Sequence, residues 1–333
     1  MRVVAAVDKF RGTLTAADVA RAIGNACWDL GFECVEMPVA DGGEGTLDAL
    51  GGANRTSTVT GPLGDVVEAR WRLQRDTAVI EMAAASGLTL AGGADGNDAM
   101  AASTTGTGEL IDMALDAGAK RIIVCLGGSA TTDGGLGAVR AIHAPQRLRG
   151  VQLLVACDVR TRFVDAAEVF GPQKGASAAQ VRLLRGRLER VAQIYAQEHG
   201  IDVRPIDGSG AAGGLAGGLL ALGGRLVPGF DLVADELDLH DAIASADVVV
   251  TGEGFLDEQS FEGKVVGGVQ ELSNALGTPV GAVVGDAAPE VADRIAHVAL
   301  AAEYGLDRAM KEPLWCVEHA AATLLRRLRP PSS

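Results

Sequence analysis

Apolar runs that stop on an acid or a glycine recur along this chain, and they constrain its fold more than any other feature. Residues 3–7 (VVAAV) lead to Asp8, and residues 34–39 (CVEMPV) lead to Asp41, Gly42, Gly43, Glu44 and Gly45. Residues 121–125 (RIIVC) run into LGGSATTDGGLG at 126–137, residues 153–159 (LLVACDV) end around Asp158, and DVVVT at 247–251 runs into Gly252, Glu253 and Gly254. Runs of this kind, apolar without alternation, read as strands covered on both faces. Segments of helical period lie between them: 15–30 with Thr15 as N-cap, a helix starting in 44–51, about 107–117, about 135–142, 178–199, 265–276 stopped by Gly277, and 317–328 before a tail, RPPSS, that reads as frayed. Alternating strand and helix imply parallel sheets with helices on their faces.

The rhythm changes after Gly61. Residues 66–73 and 77–82 read as an antiparallel pair on a short polar turn, and they open a second domain. The first rhythm returns in the last third, with strands at 279–285 and 297–301. The expected fold class is α/β with two α/β domains: a discontinuous domain over 1–57 and 238–333, and an inserted one over 58–237. A chain of 333 residues is long enough for both.

Ligands of open parallel sheets bind at the carboxyl ends of the strands. Aspartate and glycine also make turns and helix caps, so a single strand end says little. Five such ends form a constellation. The loop at 126–137 holds five glycines, three hydroxyls and one carboxylate. Gly127 and Gly128 let backbone N–H groups approach a ligand, Ser129, Thr131 and Thr132 add donors, and the next helix adds its N-terminus, so the loop reads as an anion cradle. Asp133 fits three roles there: orienting the loop, holding Mg²⁺, or capping the helix.

Lysines are few, and Lys9, Lys174 and Lys264 each sit beside glycines, acids or hydroxyls. Ammonium groups, carboxylates and glycine loops are the parts of a phosphoryl-transfer site. There is no Walker A motif and no protein-kinase set. Gly208, Gly210 and Gly213 make a GxGxxG, but Pro205 interrupts the strand it would need, so the stretch reads as a phosphate loop or as close helix packing. The five histidines have no metal-ligand or triad spacing. The net charge of −14 argues against nucleic acid as partner, and no apolar run is long enough to span a membrane. Five scattered cysteines and the absence of a signal peptide point to the cytoplasm.

Ten motifs, in order along the chain, resemble the bacterial glycerate kinase family of type 1. Among them are DKFRGTLTA (8–16), PVADGGEGT (38–46), IEMAAASGL (80–88), LGGSATTDGGLG, VFGPQKGAS (169–177), GSGAAGGLAGGLLA (208–221) and VTGEGFLDEQSFEGK (250–264). The resemblance implies ATP-dependent phosphorylation of D-glycerate with Mg²⁺, in a cleft between a Rossmann- or flavodoxin-like domain and a swivelling α/β/α domain. It carries over Asp8, Lys9, Asp41, Glu44, Glu81, Ser86, Ser129, Asp133, Lys174, Glu253, Asp257 and Lys264. On this reading Lys9 and Lys264 hold phosphates or the substrate carboxylate, Asp257 is the base, and Asp41 and Asp133 are the metal ligands. A homodimer is the expected assembly. The chain departs from the family pattern in a shorter segment before residue 153, in Arg160 and Arg162 near Asp158, and in Val266 where a proline is usual. Kinase action on another small hydroxy acid, ligand binding without catalysis, and dinucleotide-dependent redox chemistry on the GxGxxG are the alternatives.

Overall fold

The computed structural model describes residues 1–328; the expected frayed tail, residues 329–333, lies outside them. The strands are β1 (Arg2–Val7), β2 (Glu33–Pro38), β3 (Arg55–Thr60), β4 (Val66–Gln74), β5 (Thr77–Glu81) and β6 (Arg121–Cys125). They continue with β7 (Gln152–Ala156), β8 (Arg225–Val227), β9 (Val248–Leu256), β10 (Val280–Ala287) and β11 (His297–Ala299). The chain forms two compact units, Met1–Asp41 with Gly229–Ser333, and Gly42–Pro228. The divisions fall at 41/42 and 228/229, not at the expected 57/58 and 237/238. Residues 55–60 pair as β3 with β4, which ties them to the second unit's sheet.

The first unit holds a five-stranded sheet in the order β11-β10-β9-β1-β2, parallel at every pair. In β1, Val3, Ala5 and Val7 face one core, built with the helices Ala16–Asp29 and Pro313–Leu328. In β10, Val283 joins that core, while Ala282 and Val284 face another that includes Val266. Both faces are therefore apolar, which is why these strands read as unbroken apolar runs. The helix Ala16–Asp29 starts on the expected Thr15, which forms a capping box with Asp18. From β1 the chain goes to β2 on one side, and from β9 through β10 to β11 on the other. The strand order thus reverses between β1 and β9, the topological switch point at which open parallel sheets bind ligands.

One local expectation is overturned here. Gly252, Glu253 and Gly254 belong to β9 and not to a loop after it, because β10 runs alongside, pairing Val283 with Gly252 and Val284 with Glu253. Glycine allows this: a Cβ on Gly252 would lie 2.2 Å from the Val283 carbonyl oxygen.

The second unit holds a six-stranded sheet, β3-β4-β5-β6-β7-β8, antiparallel from β3 to β5 and parallel from β5 to β8. The expected hairpin at 66–82 is β4–β5, closed at Gln74↔Thr77. The expected helix in 44–51 shrinks to Thr46–Ala49, bounded by left-handed Gly45 and Gly51. The long helix Ala178–Glu198 begins on a Ser177–Gln180 capping box and buries Leu184, Leu188, Val191 and Tyr195. No strand precedes the GxGxxG. Its residues enter the helix Ala211–Ala221 through three left-handed positions, Ala212, Gly213 and Gly214. They pack against protein: a Cβ on Gly210 would meet the Arg162 carbonyl and one on Gly213 the Thr131 carbonyl. The strand–turn–helix context of a dinucleotide fingerprint is absent from this stretch.

Candidate active site

In the first unit, charged groups collect at the switch point. Asp8 leaves β1 with its backbone N–H donating to the Gly252 carbonyl of β9 at 2.9 Å, and its Oδ1 accepts from the Lys9 N–H at 2.7 Å. Burial, with Asp41 close by, pushes the Asp8 carboxyl up to about 6, against the pull of Lys9 and Lys264. Glu253, one residue further along β9, is pushed up to about 7, first by burial and then by Asp8 and Asp257; Ser260 and Lys264 act in the opposite sense. Its Oε1 is buried with no hydrogen-bond partner among the described residues. Asp257 ends β9 and caps the next turn, with Oδ1 accepting from the Ser260 N–H at 3.1 Å and the Ser260 hydroxyl at 3.3 Å. Lys264 is the N-cap residue of the helix Val265–Leu276. Six residues expected at the site, Asp8, Lys9, Asp41, Glu253, Asp257 and Lys264, therefore share one end of one sheet.

The second unit builds its own cluster around the glycine loop that follows β6. Glu81, at the end of β5, accepts through Oε1 from the N–H groups of Gly45 (2.9 Å) and Leu47 (2.8 Å), which fixes the turn carrying Glu44. That turn lies on the loop: a Cβ on Gly127 would come within 3.0 Å of the Glu44 nitrogen. The loop is tied at nearly every step. The Leu88 N–H donates to the Gly128 carbonyl at 2.7 Å, Ala130 donates to the Ser86 carbonyl at 3.0 Å, and Ser129 bridges Gly87. Tyr195 donates its hydroxyl to the Gly134 carbonyl at 2.8 Å.

Asp133 lies inside the loop, between the Thr104 segment and the start of the next helix. Its carboxylate accepts from the N–H groups of Thr104, Gly135 and Gly137 and from the Thr104 hydroxyl, at 2.8–3.1 Å. Three of these bonds end on Oδ2 and one on Oδ1, and together they tie the loop to Thr104 and to the next helix. Three other expected ligand groups point inward. The Ser86 hydroxyl is buried against Thr107 at 2.8 Å, and the Thr131 side chain is fully buried. Lys174 is 3% exposed, and its Nζ donates to the Thr131 carbonyl at 2.6 Å. Of the three side chains, that of Lys174 reaches the loop from inside the protein. Ser260, Thr104, Asn97 and Tyr195 complete the two clusters without having been singled out in the sequence. Only Ser260 left a local signal, the D-x-x-S spacing of a capping box.

Among the described residues no group of three or more His, Cys, Asp or Glu could hold a metal ion by itself. The Asp8–Asp41 proximity suits a cation that arrives on a polyphosphate, since Mg²⁺ is commonly held by one or two carboxylates together with phosphate oxygens.

The family model described as Glycerate kinase family matches residues 3–145 and 142–329. Glycerate 2-kinase of Escherichia coli (strain K12) is 39% identical over 331 residues, covering 87% of this chain and 87% of that protein. Glycerate kinase of Halalkalibacterium halodurans is 40% identical over 328 residues, covering 85% of each. A crystal structure of a proposed glycerate kinase 2 from Salmonella typhimurium LT2 superposes with a TM-score of 0.83 at 34% identity, covering 98% of this chain and 99% of that one.

Proposed function

The chain belongs to the glycerate kinase family, and from that premise we propose that it transfers the γ-phosphoryl group of ATP to a hydroxyl of D-glycerate. The observation that carries the reading is the gathering of Asp8, Lys9, Asp41, Glu253, Asp257 and Lys264 at the switch point of a parallel sheet, in a chain with a glycine cradle after β6.

The acceptor hydroxyl attacks the γ-phosphorus, the bond to the β–γ bridging oxygen breaks, ADP leaves, and the hydroxyl proton passes to a carboxylate. Asp257 is the proposed base; Glu253 supports it as a neighbouring carboxyl. Lys9 and Lys264 supply positive charge for the glycerate carboxylate and the phosphates. Backbone N–H groups of residues 127–129, with the Ser129 hydroxyl, hold phosphoryl oxygens, and the turn that carries Glu44, fixed by Glu81, lies beside them. Asp41 is the proposed Mg²⁺ ligand, and Mg²⁺ held there would supply positive charge to a polyphosphate. Asp133 is assigned to loop support. Arg162, a departure from the family pattern, pairs with Asp207 at 3.0 Å, so it gives no reason to prefer a larger acidic acceptor.

The name of the Escherichia coli relative supports 2-phosphoglycerate as product. Five cysteines outside any disulfide fit the cytoplasm, no helix among the described residues is long and apolar enough to cross a membrane, and a homodimer remains the proposed assembly. The test is ADP release over a panel of small hydroxy acids with Mg²⁺, with product position read by phosphorus NMR. D-glycerate should be the preferred acceptor and the 2-phosphate the product, and Asp257→Asn should lower kcat by about a hundredfold or more. Turnover on another acid but not on glycerate would overturn the substrate, and ATP binding without turnover on any acceptor would overturn the activity.

A further inference from the structure

We infer that Lys174 is a positioning residue, one that sets the polarity of the glycine loop from inside the protein without touching substrate. The inference rests on the reading that this loop holds phosphoryl oxygens. Lys174 is expected among the phosphate ligands; in the fold it is buried and its ammonium meets the loop backbone. Its ammonium donates to the Thr131 carbonyl at 2.6 Å and lies 5.9 Å from the centre of the Phe170 ring. The segment that carries it is locked onto the same loop. Asn97 donates through Nδ2 both to the Lys174 carbonyl (2.9 Å) and to the Ala130 carbonyl (3.0 Å). Gly175, at φ +86°, fits where a Cβ would lie 2.2 Å from the Ala94 carbonyl.

In a trans peptide the C=O and the following N–H point in opposite directions. Drawing the carbonyls of Gly128, Ala130 and Thr131 toward Leu88, Asn97 and Lys174 therefore turns the N–H groups of Ser129, Thr131 and Thr132 the other way. Thr131 and Thr132 are buried, so of the three donors Ser129 is the one a ligand can meet, and the peptides locked behind it hold its orientation and withdraw the oxygens that would repel an anion. The buried cation adds its own attraction through the low-dielectric interior.

Stability alone does not account for a lysine here. A buried ammonium without a carboxylate in hydrogen-bond contact is costly, and burial depresses its pKa to about 7 despite the attraction of Asp133. Methionine has a similar length and no such cost. Removing the amine does leave the Thr131 carbonyl unpaired, so the two effects oppose each other.

The test compares Lys174→Met and Ser129→Ala with wild type in the full-length enzyme. The readouts are Tm, the Kd for inorganic tripolyphosphate, and the KM values for ATP and for glycerate. Lys174→Met should keep its Tm close to that of wild type and weaken tripolyphosphate binding by about tenfold, the size of one charge acting over several ångströms at intermediate dielectric. The KM for ATP should rise in parallel while that for glycerate stays put. A Lys174→Met chain that fails to fold, or that loses Tm and both KM values together, shows a structural role and overturns the inference. Weaker tripolyphosphate binding in Ser129→Ala but not in Lys174→Met overturns the inference alone. If neither variant changes binding, the loop reading falls with it.

Discussion

A carboxyl enclosed beside other acids resists ionisation, and Glu253 is in that position. In the unfolded chain it ionises near 4.5; in the fold it does so near 7. The native state therefore holds the proton more tightly, so this group's contribution to stability is complete below about 4.5 and is lost as pH rises through about 7. Asp8 behaves alike between 3.8 and about 6. In buffer containing a chelator, Glu253→Gln should melt above wild type at pH 8 and with it at pH 4. Coincident melting at both values would show that Glu253 is not held as described. The presence of these residues at a strand end was legible in the sequence, because apolar runs stopped on them. Their burial was not, since it depends on β10 and on the turn of Asp257, and neither contact is local. Lys174 shows the same limit: beside glycines and a serine it reads as a solvent-reaching cation, and only packing reveals that it faces inward.

At the scale of elements, what was legible tracked what is encoded locally. Thr15 caps its helix and left-handed Gly277 stops another, both as expected. The glycines of β9 misled because glycine favours loops on its own and becomes strand only when a partner, here β10, closes against it. The GSGAAGG turn is the other case. Three successive left-handed residues cost energy at Ala212, which has φ 51° and ψ 42°, and the turn places the Gly213 carbonyl where it accepts from the Gly134 N–H at 3.0 Å. The segment that resembles a nucleotide fingerprint packs as a buttress against the glycine loop after β6. Gly213→Ala would set a Cβ 1.9 Å from the Thr131 carbonyl oxygen. It should cost about 2–4 kcal/mol in urea unfolding and raise the KM for ATP. A variant with wild-type stability would show that the turn bears no such contact.

The whole molecule consists of one continuous unit and one assembled from both ends of the chain. Residues 42–228 own a complete sheet and its apolar cores. Expressed alone, they should unfold cooperatively and retain tripolyphosphate binding. A fragment without cooperative unfolding would mean that this unit depends on the other for its fold. Two domains and their classes were legible from the change of rhythm after Gly61. The boundaries were less so, because they depend on which sheet β3 joins. In the discontinuous unit, β1 lies between β2 and β9, and the Arg2 N–H donates to an Asp247 side chain 245 residues away. At ordinary rates of synthesis that separation is on the order of tens of seconds. During that interval the ribosome holds a nascent chain whose early hydrophobic strand has no neighbour on its β9 side, a natural target for a chaperone that shields such segments until the late-made one emerges.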